Sequence, residues 1–265
     1  MYKTIVSLSA LVLLSGCFEE KVLDKGKVVH RNGLAYEINS NEPFTGFKTS
    51  SYANGQLEYK MKFVDGLSDG PYEFWYGNGT NQVQGSYSKG KEDGSRKIFK
   101  RDGTLDYELT YSEGVIVGYK ELNGDGSIKV DVTSTDKNGT TNSKPISDKE
   151  ICIKDKLSKE TWYIRFDEEY YTNASNRIKD INDSKMCGKN SWDLAKTSDM
   201  KNSSSVFLSS ATVQRKEKIF SPGAKYFWIK SDNDSDSAPY AVNSYQRPFK
   251  STNDKKRGAI YKSQS

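Results

Sequence analysis

The stretch DGLSDGPYEFWYGNGT, residues 65–80, sets four glycines around a dense aromatic run of Tyr72, Phe74, Trp75 and Tyr76. Its glycines belong to ladders. Gly46, Gly70, Gly94 and Gly118 are spaced by 24 residues, and so are Gly66, Gly90 and Gly114. A third ladder, Asn54-Gly55, Asn78-Gly79 and Asp102-Gly103, keeps the same 24-residue step, with Asp125-Gly126 one residue short. Asn-Gly and Asp-Gly supply the positive φ angles of tight hairpin turns, so the third ladder is expected to mark such turns.

After each of these turns apolar side chains alternate with a period of two: Leu57, Tyr59, Met61 and Phe63, then Val83 and Tyr87, then Leu105, Tyr107, Leu109 and Tyr111, then Ile128, Val130 and Val132. That alternation is a strand with one buried face. The stretches before the turns, PYEFWY and SRKIFK, are the partner strands. Each unit thus reads strand, Asn/Asp-Gly turn, strand, second glycine turn. Four units make about eight strands, or roughly 35 Å of sheet at the usual strand spacing, in which each unit touches mainly its neighbours. The fold class expected is mainly β, an antiparallel hairpin-repeat sheet followed by a small α+β domain.

The stretches FTGFKTSSYANGQLEYKMKFVDG, DGPYEFWYGNGTNQVQGSYSKG, DGSRKIFKRDGTLDYELTYSEG and the weaker VGYKELNGDGSIKV resemble the MORN repeat in its bacterial variant. RNGLAYEINSNEPFTG, residues 31–46, is similar to the lead-in strand of that family. The resemblance covers residues 30–132 and implies a MORN-type hairpin sheet. Proteins of this variant are often labelled antitoxins, and some lie beside secreted toxic effectors; the repeat itself brings no catalytic residues. The fourth unit departs from the pattern through Gly124 and reads as a capping unit or as the point of hand-over to the next domain.

At the other end of the chain, MYKTIVSLSALVLLSGC combines Lys3, an apolar stretch from Ile5 to Leu14 and small residues before Cys17. That stretch is too short for a membrane-spanning helix. Leu14-Ser15-Gly16-Cys17 resembles the lipobox of bacterial lipoproteins, which implies cleavage after residue 16, acylation of Cys17, and membrane anchoring by several acyl chains. Phe18 in place of Asp after that cysteine, by resemblance to Gram-negative lipoproteins, directs the protein to the outer membrane, facing the periplasm. The organisation expected is a signal peptide over 1–16, a tether over 17–29, repeats over 30–132, a linker over 133–148 and the α+β domain over 149–265.

With Cys17 lipidated, Cys152 and Cys187 remain as an even pair. In an oxidising periplasm they read as a disulfide, worth roughly 3–4 kcal/mol by loop closure. Residues 131–148 are rich in Thr, Ser, Asn and Lys and read as an exposed connection. Beyond it, ICIKD, TWYIRF, SSVFLSS and KYFWIKS read as strands, and Phe166, Tyr170, Ala174, Ile178 and Ile181 recur at helical spacing.

The chain has 265 residues, a mean hydropathy of -0.79, 17 Tyr and 11 Phe, and a formal charge of +5. So many aromatics argue for a folded chain. The charge is too mild to imply nucleic acid. Residues 131–265 hold 24 Lys and Arg against 18 Asp and Glu, whereas 44–130 hold 11 against 12, so the basic surplus lies in the second half. That surplus suits anionic headgroups or an acidic partner as well as plain solvation.

His30 is the only histidine and lies before the repeats, which rules out a multi-histidine metal site and counts against a histidine-based triad. Asp232, Asp234 and Asp236 lack the glycine and the closing glutamate of a calcium loop. No cofactor motif is present, while a carboxylate-only hydrolase stays open because paired acids need not be close in sequence. The function expected is therefore binding: a lipid-anchored immunity or antitoxin-like protein that occludes a secreted effector, possible phospholipases included, with Trp75 and Tyr76 as partner-binding aromatics that also suit sheet packing. The alternative is a structural or assembly-subunit envelope lipoprotein.

Overall fold

The computed structural model describes residues 20–144, 150–169, 171–202, 226–233, 240–243, 248–250 and 257–263. Its first part is a run of hairpins: β1 (Val22–Asp24), β2 (Val28–Arg31), β3 (Leu34–Glu37), β4 (Gly46–Ser51), β5 (Leu57–Val64), β6 (Leu67–Trp75), β7 (Asn81–Ser88), β8 (Lys91–Glu92), β9 (Gly94–Phe99), β10 (Leu105–Ser112), β11 (Val115–Leu122) and β12 (Ile128–Thr135). The glycine ladders do fall at turns, but the turn types are exchanged relative to expectation.

Both residues have positive φ at Asp65-Gly66, Lys89-Gly90 and Glu113-Gly114, 48° followed by 78–82°, which is the two-residue turn that matches strand twist. At Asn54-Gly55, Asn78-Gly79 and Asp102-Gly103 only the glycine is left-handed. There the amide of Tyr52 donates to the Gln56 carbonyl and the amide of Gly55 to the Tyr52 carbonyl, a three-residue loop closed by a glycine bulge. The Asn and Asp side chains accept the amide two residues on, as Asn54 does from Gln56 and Asp102 from Thr104. They stabilise the turn as acceptors, not by adopting positive φ.

The second part contains β13 (Glu150–Asp155), β14 (Thr161–Glu169), α1 (Tyr171–Asp183), β15 (Trp192–Leu194), α2 (Thr197–Asn202), β16 (Tyr226–Ile229), β17 (Tyr240–Asn243), β18 (Pro248–Lys250) and β19 (Arg257–Ser263). Among the described residues seventeen strands join one sheet, with β2 and β3 as a separate hairpin. From β4 to β14 nearly every strand pairs antiparallel with its sequence neighbour; β8 is a short spur on β7, and β9 lies between β7 and β10. β1 runs parallel to β4 at one edge, and β19 follows β14 on the other side, carrying β15 and β16 on its far edge. The chain is mainly β with a small helical part.

Two expectations change here, and a third falls outside the described residues. Residues 131–135 form the end of β12 and are mostly buried, and β12 pairs with β13, so the two halves share one sheet. Polar composition concealed this strand: the Thr133 and Ser134 hydroxyls lie 3.0 and 3.1 Å from the Val117 carbonyl oxygen and donate to it, so burial leaves them bonded. The helix begins at Tyr171, and Phe166 lies in β14, so the helical spacing holds only for Ala174, Ile178 and Ile181. SSVFLSS lies outside the described residues.

One core is common to both halves. Tyr107, Leu109, Tyr119, Val130 and Val132 pack in the same cluster as Ile151, Trp162, Ile164, Ile229 and Ile260. The opposite face of β13, β14 and β19 offers Cys152, Tyr163 and Tyr261, and on it sit Ala174 and Ile181 of α1 with Trp192, Leu194 and Trp228. Cys152 and Cys187 are disulfide-bonded, with Cα atoms 5.8 Å apart, inside that cluster. Among the described residues no helix is long and apolar enough to cross a membrane.

Candidate functional site

Across the hairpin region the two faces of the sheet differ in chemistry because residues directly opposite each other point to the same side. One row runs Thr49, Lys60, Glu73, Gln84, Lys97, Glu108, Lys120 and Asp131, each paired with the next. Its signs mostly alternate. Gln84 donates to Glu73 at 3.3 Å, Lys120 stands 4.0 Å from both Glu108 and Asp131, and Lys156 closes the row 3.1 Å from Asp131. Beyond Asp131 this face turns apolar, at Cys152 and Tyr163, and there α1 covers it.

The other face carries Tyr59, Phe74, Val83, Ile98 and Tyr107 in register. Tyr107 is buried, whereas Tyr59, Phe74, Val83 and Ile98 are only half-buried. Tyr59 and Phe74 rings meet at 5.7 Å and Tyr72 and Tyr87 rings at 5.0 Å. At the N-terminal end the β2–β3 hairpin packs onto Phe63 and Met61 through Val28 and Ala35.

A polar cluster is sunk in this aromatic face. The Tyr72 hydroxyl donates to the Glu92 carboxylate, Arg96 lies 3.6 Å from the same carboxylate oxygen, and the Arg96 guanidinium donates to the Tyr111 hydroxyl at 3.3 Å. Burial, with Glu92 as acceptor, pushes the Tyr72 phenol far above the ordinary tyrosine range, so it stays a donor. Burial and the Glu92 charge also raise Tyr87. Gly85 makes the arrangement fit: a Cβ there would lie 2.5 Å from Tyr72 ring atoms.

The sequence-predicted aromatics diverge. Trp75 follows Glu73 by two positions along β6, on the charged face, and is half-buried. Tyr76 lies in the turn, where its hydroxyl donates to the Phe99 carbonyl at 2.8 Å and the Arg101 guanidinium stands 5.3 Å from its ring centre. Cys17 lies outside the described residues. His30 is on β2, exposed, with Nε2 3.5 Å from Lys48 Nζ. Asp232 holds the start of α2, accepting from the Thr197 hydroxyl and the Ser198 amide; Asp234 and Asp236 fall outside the described residues. Among the described residues no group of His, Cys, Asp and Glu is placed to hold a metal ion.

Sequence reasoning missed the Tyr72, Glu92 and Arg96 cluster, whose only sequence signal is the small residue at Gly85 interrupting the alternation of Val83 and Tyr87. It also missed a cleft of about 390 Å³ lined by Ser158, Lys159, Glu160, Lys189, Lys196, Asp199, Lys262 and Ser263, which no motif announces because four separate segments form it. Compared with known protein families, curated proteins and solved structures, the chain matches none.

Proposed function

We propose that this chain is a lipid-anchored binding protein of the cell envelope, built on MORN-type repeats and similar to immunity proteins, which neutralises a secreted toxic effector by occlusion. The observation that carries the reading is the half-buried aromatic face of β5, β6, β7 and β9, where Tyr59, Phe74 and Val83 stand in one row around the Tyr72 and Glu92 pair. Aromatic rings flanked by fixed polar groups are the composition of protein-binding hot spots. Hairpins that bond to one another hold those rings in place, so little ordering is needed on contact. The lipobox residues Leu14 to Cys17 would keep this surface at the outer membrane, facing the periplasm, where a phospholipase-type effector would act.

The test has two arms. Replacing Cys17 with Ser should abolish palmitate labelling and move the protein out of the membrane fraction; unchanged labelling removes the lipoprotein reading. Co-expression with a secreted effector encoded beside this gene should protect the cell, and Phe74→Asp should lose that protection while the protein still accumulates. Protection unaffected by Phe74→Asp would move the contact off this face.

A further inference from the structure

The hairpin of β2 and β3 stands apart from the main sheet and turns only one of its two faces toward it. Val28 and Ala35 are on that inner face, buried in one cluster with Leu23, Phe44 and Phe63. In the antiparallel register Val29 stands opposite Tyr36 and Arg31 opposite Leu34, so these four share the outer face. One step past the strand ends the Ile38 amide donates to the Lys27 carbonyl at 2.9 Å, which carries the same alternation on to those two residues. Asn32 and Gly33, both at positive φ, close the ribbon with a tight turn.

The outer face is apolar and positive. Val29 is 39% exposed and Ile38 45%, although water is a poor surrounding for both side chains. Lys27 and Arg31 are exposed, and neither is in an ion pair among the described residues. The Arg31 guanidinium lies 4.0 Å from the centre of the Tyr36 ring and donates to the Ser40 carbonyl, so it is held over the face without a carboxylate partner. Glu37 is the only acid between residues 27 and 38; it stands opposite Val28 on the inner side and pairs with Lys21.

The chain leading into the hairpin points to what meets this face. Four steps separate Cys17 from Lys21, at most about 14 Å of chain, and the Lys21 side chain reaches Glu37 on β3. An acyl group on Cys17 would therefore hold the hairpin against a bilayer surface. Basic and aromatic side chains beside aliphatic ones suit the zone between headgroups and acyl chains, where the long stems lie in apolar surroundings and the charged ends meet phosphate.

We propose that the outer face of this hairpin docks on an anionic phospholipid bilayer, with Val29 and Ile38 entering the interface and Lys27 and Arg31 as headgroup contacts. The inference rests on the lipid-anchor reading for delivery of the hairpin to a membrane and adds to it a second, non-covalent attachment. Two attachments act together more strongly than either alone, and the second would fix how the repeat sheet is oriented on the membrane.

The experiment is vesicle flotation of the chain from residue 18 onward, which holds every described residue but not Cys17, so an absent lipid and an absent docking face give separate failures. The probes are vesicles of phosphatidylethanolamine with about one quarter phosphatidylglycerol, and vesicles of phosphatidylcholine alone. Binding to the first should exceed binding to the second and fall as salt is added. Lys27→Gln with Arg31→Gln should weaken binding to the anionic vesicles about tenfold or more. Val29→Thr with Ile38→Thr keeps the β-branched shape and should weaken it about fivefold or more. Lys159→Gln with Lys189→Gln removes the same charge from the basic second half and should leave affinity within about twofold. Should the Arg31 variant melt early, Lys27→Gln alone serves, with a smaller loss in the same direction. No binding to anionic vesicles, equal binding to both kinds, unchanged affinity in either hairpin pair, or an equal loss in the second-half pair overturns the proposal.

Discussion

The Tyr76 hydroxyl donates to the Phe99 carbonyl oxygen at 2.8 Å, tying one hairpin turn to the strand of the next. One unit earlier Tyr52 does the same to the Trp75 carbonyl at 2.8 Å. Asn54 and Asn78 add a second tie, their amides donating to the carbonyls of Gly77 and Arg101. At the opposite turns the amides of Gly66, Gly90 and Gly114 donate to the carbonyls of Phe44, Ser68 and Glu92. Position 100 is Lys and position 102 Asp, neither of which repeats the tyrosine and asparagine ties. The clamp therefore spans the first units and stops where the common core of Tyr107 and Leu109 begins.

Tyr76→Phe removes one such tie and keeps the ring. We expect a loss of about 0.5–1.5 kcal/mol in urea unfolding, the usual worth of a hydrogen bond. A loss near zero would mean that Tyr76 holds nothing and is free to serve a partner.

Gly85→Ala forces a methyl group to within 2.5 Å of the Tyr72 ring, which is 3% exposed and cannot swing away freely. Overpacking of this kind costs about 1–3 kcal/mol. Thermal melting checks it, and in the same variant the Tyr72 to Glu92 bond should break, lowering the phenol titration seen by absorbance.

Lys89→Asn should stabilise the protein. Lys89 has φ 48° in a two-residue turn and is exposed. Asn tolerates that conformation better than Lys, so a gain of about 0.5–1 kcal/mol is expected, of the size typical of turn optimisation. An unchanged melting temperature would argue that the turn is not held in this form.

His30, the only histidine, gives an isolated imidazole signal by nuclear magnetic resonance. Partial burial disfavours its charged form and the Lys48 ammonium repels it, so its pKa lies below the ordinary histidine value. The unfolded chain then takes up this proton first as the pH falls. The stability linked to His30 is present above about pH 6.5 and is lost as the pH drops through the lower folded-state value. Lys48→Ala should move the midpoint upward, and His30→Asn should flatten that part of the stability profile.

Removing the disulfide by Cys152→Ser with Cys187→Ser should lower stability by about 2–4 kcal/mol. Reductant should act slowly on the native protein, since both cysteines are almost fully buried. Cys187 also sits against another turn: a Cβ on Gly139 would lie 2.8 Å from its carbonyl oxygen. Gly139→Ala should therefore hinder formation of the bridge, seen as free thiol in the purified protein.

The hairpins were legible because 24 is an even number and every turn contains a glycine, so strand faces and turns recur together along the sequence. Which turn was the tighter was not legible, since Lys89 and Glu113 adopt positive φ without the residue type that announces it. The continuity of the sheet past residue 131 was hidden by buried hydroxyls that bond to the Val117 carbonyl and so look like linker. The basic cleft was out of reach for a different reason. Lys159, Lys189 and Lys262 are brought together only by the pairing of β14 with β19 and by the turn that follows Cys187.

A 24-residue unit that bonds only to the units before and after it is also a measure of length. Duplicating one would add two strands, about 10 Å at the usual spacing, and would leave β1 at one margin and the basic cleft at the other unchanged. The number of units then fixes how far the cleft stands from the N-terminal end. Chains with three, five or six such units would be spacers of graded reach carrying identical ends.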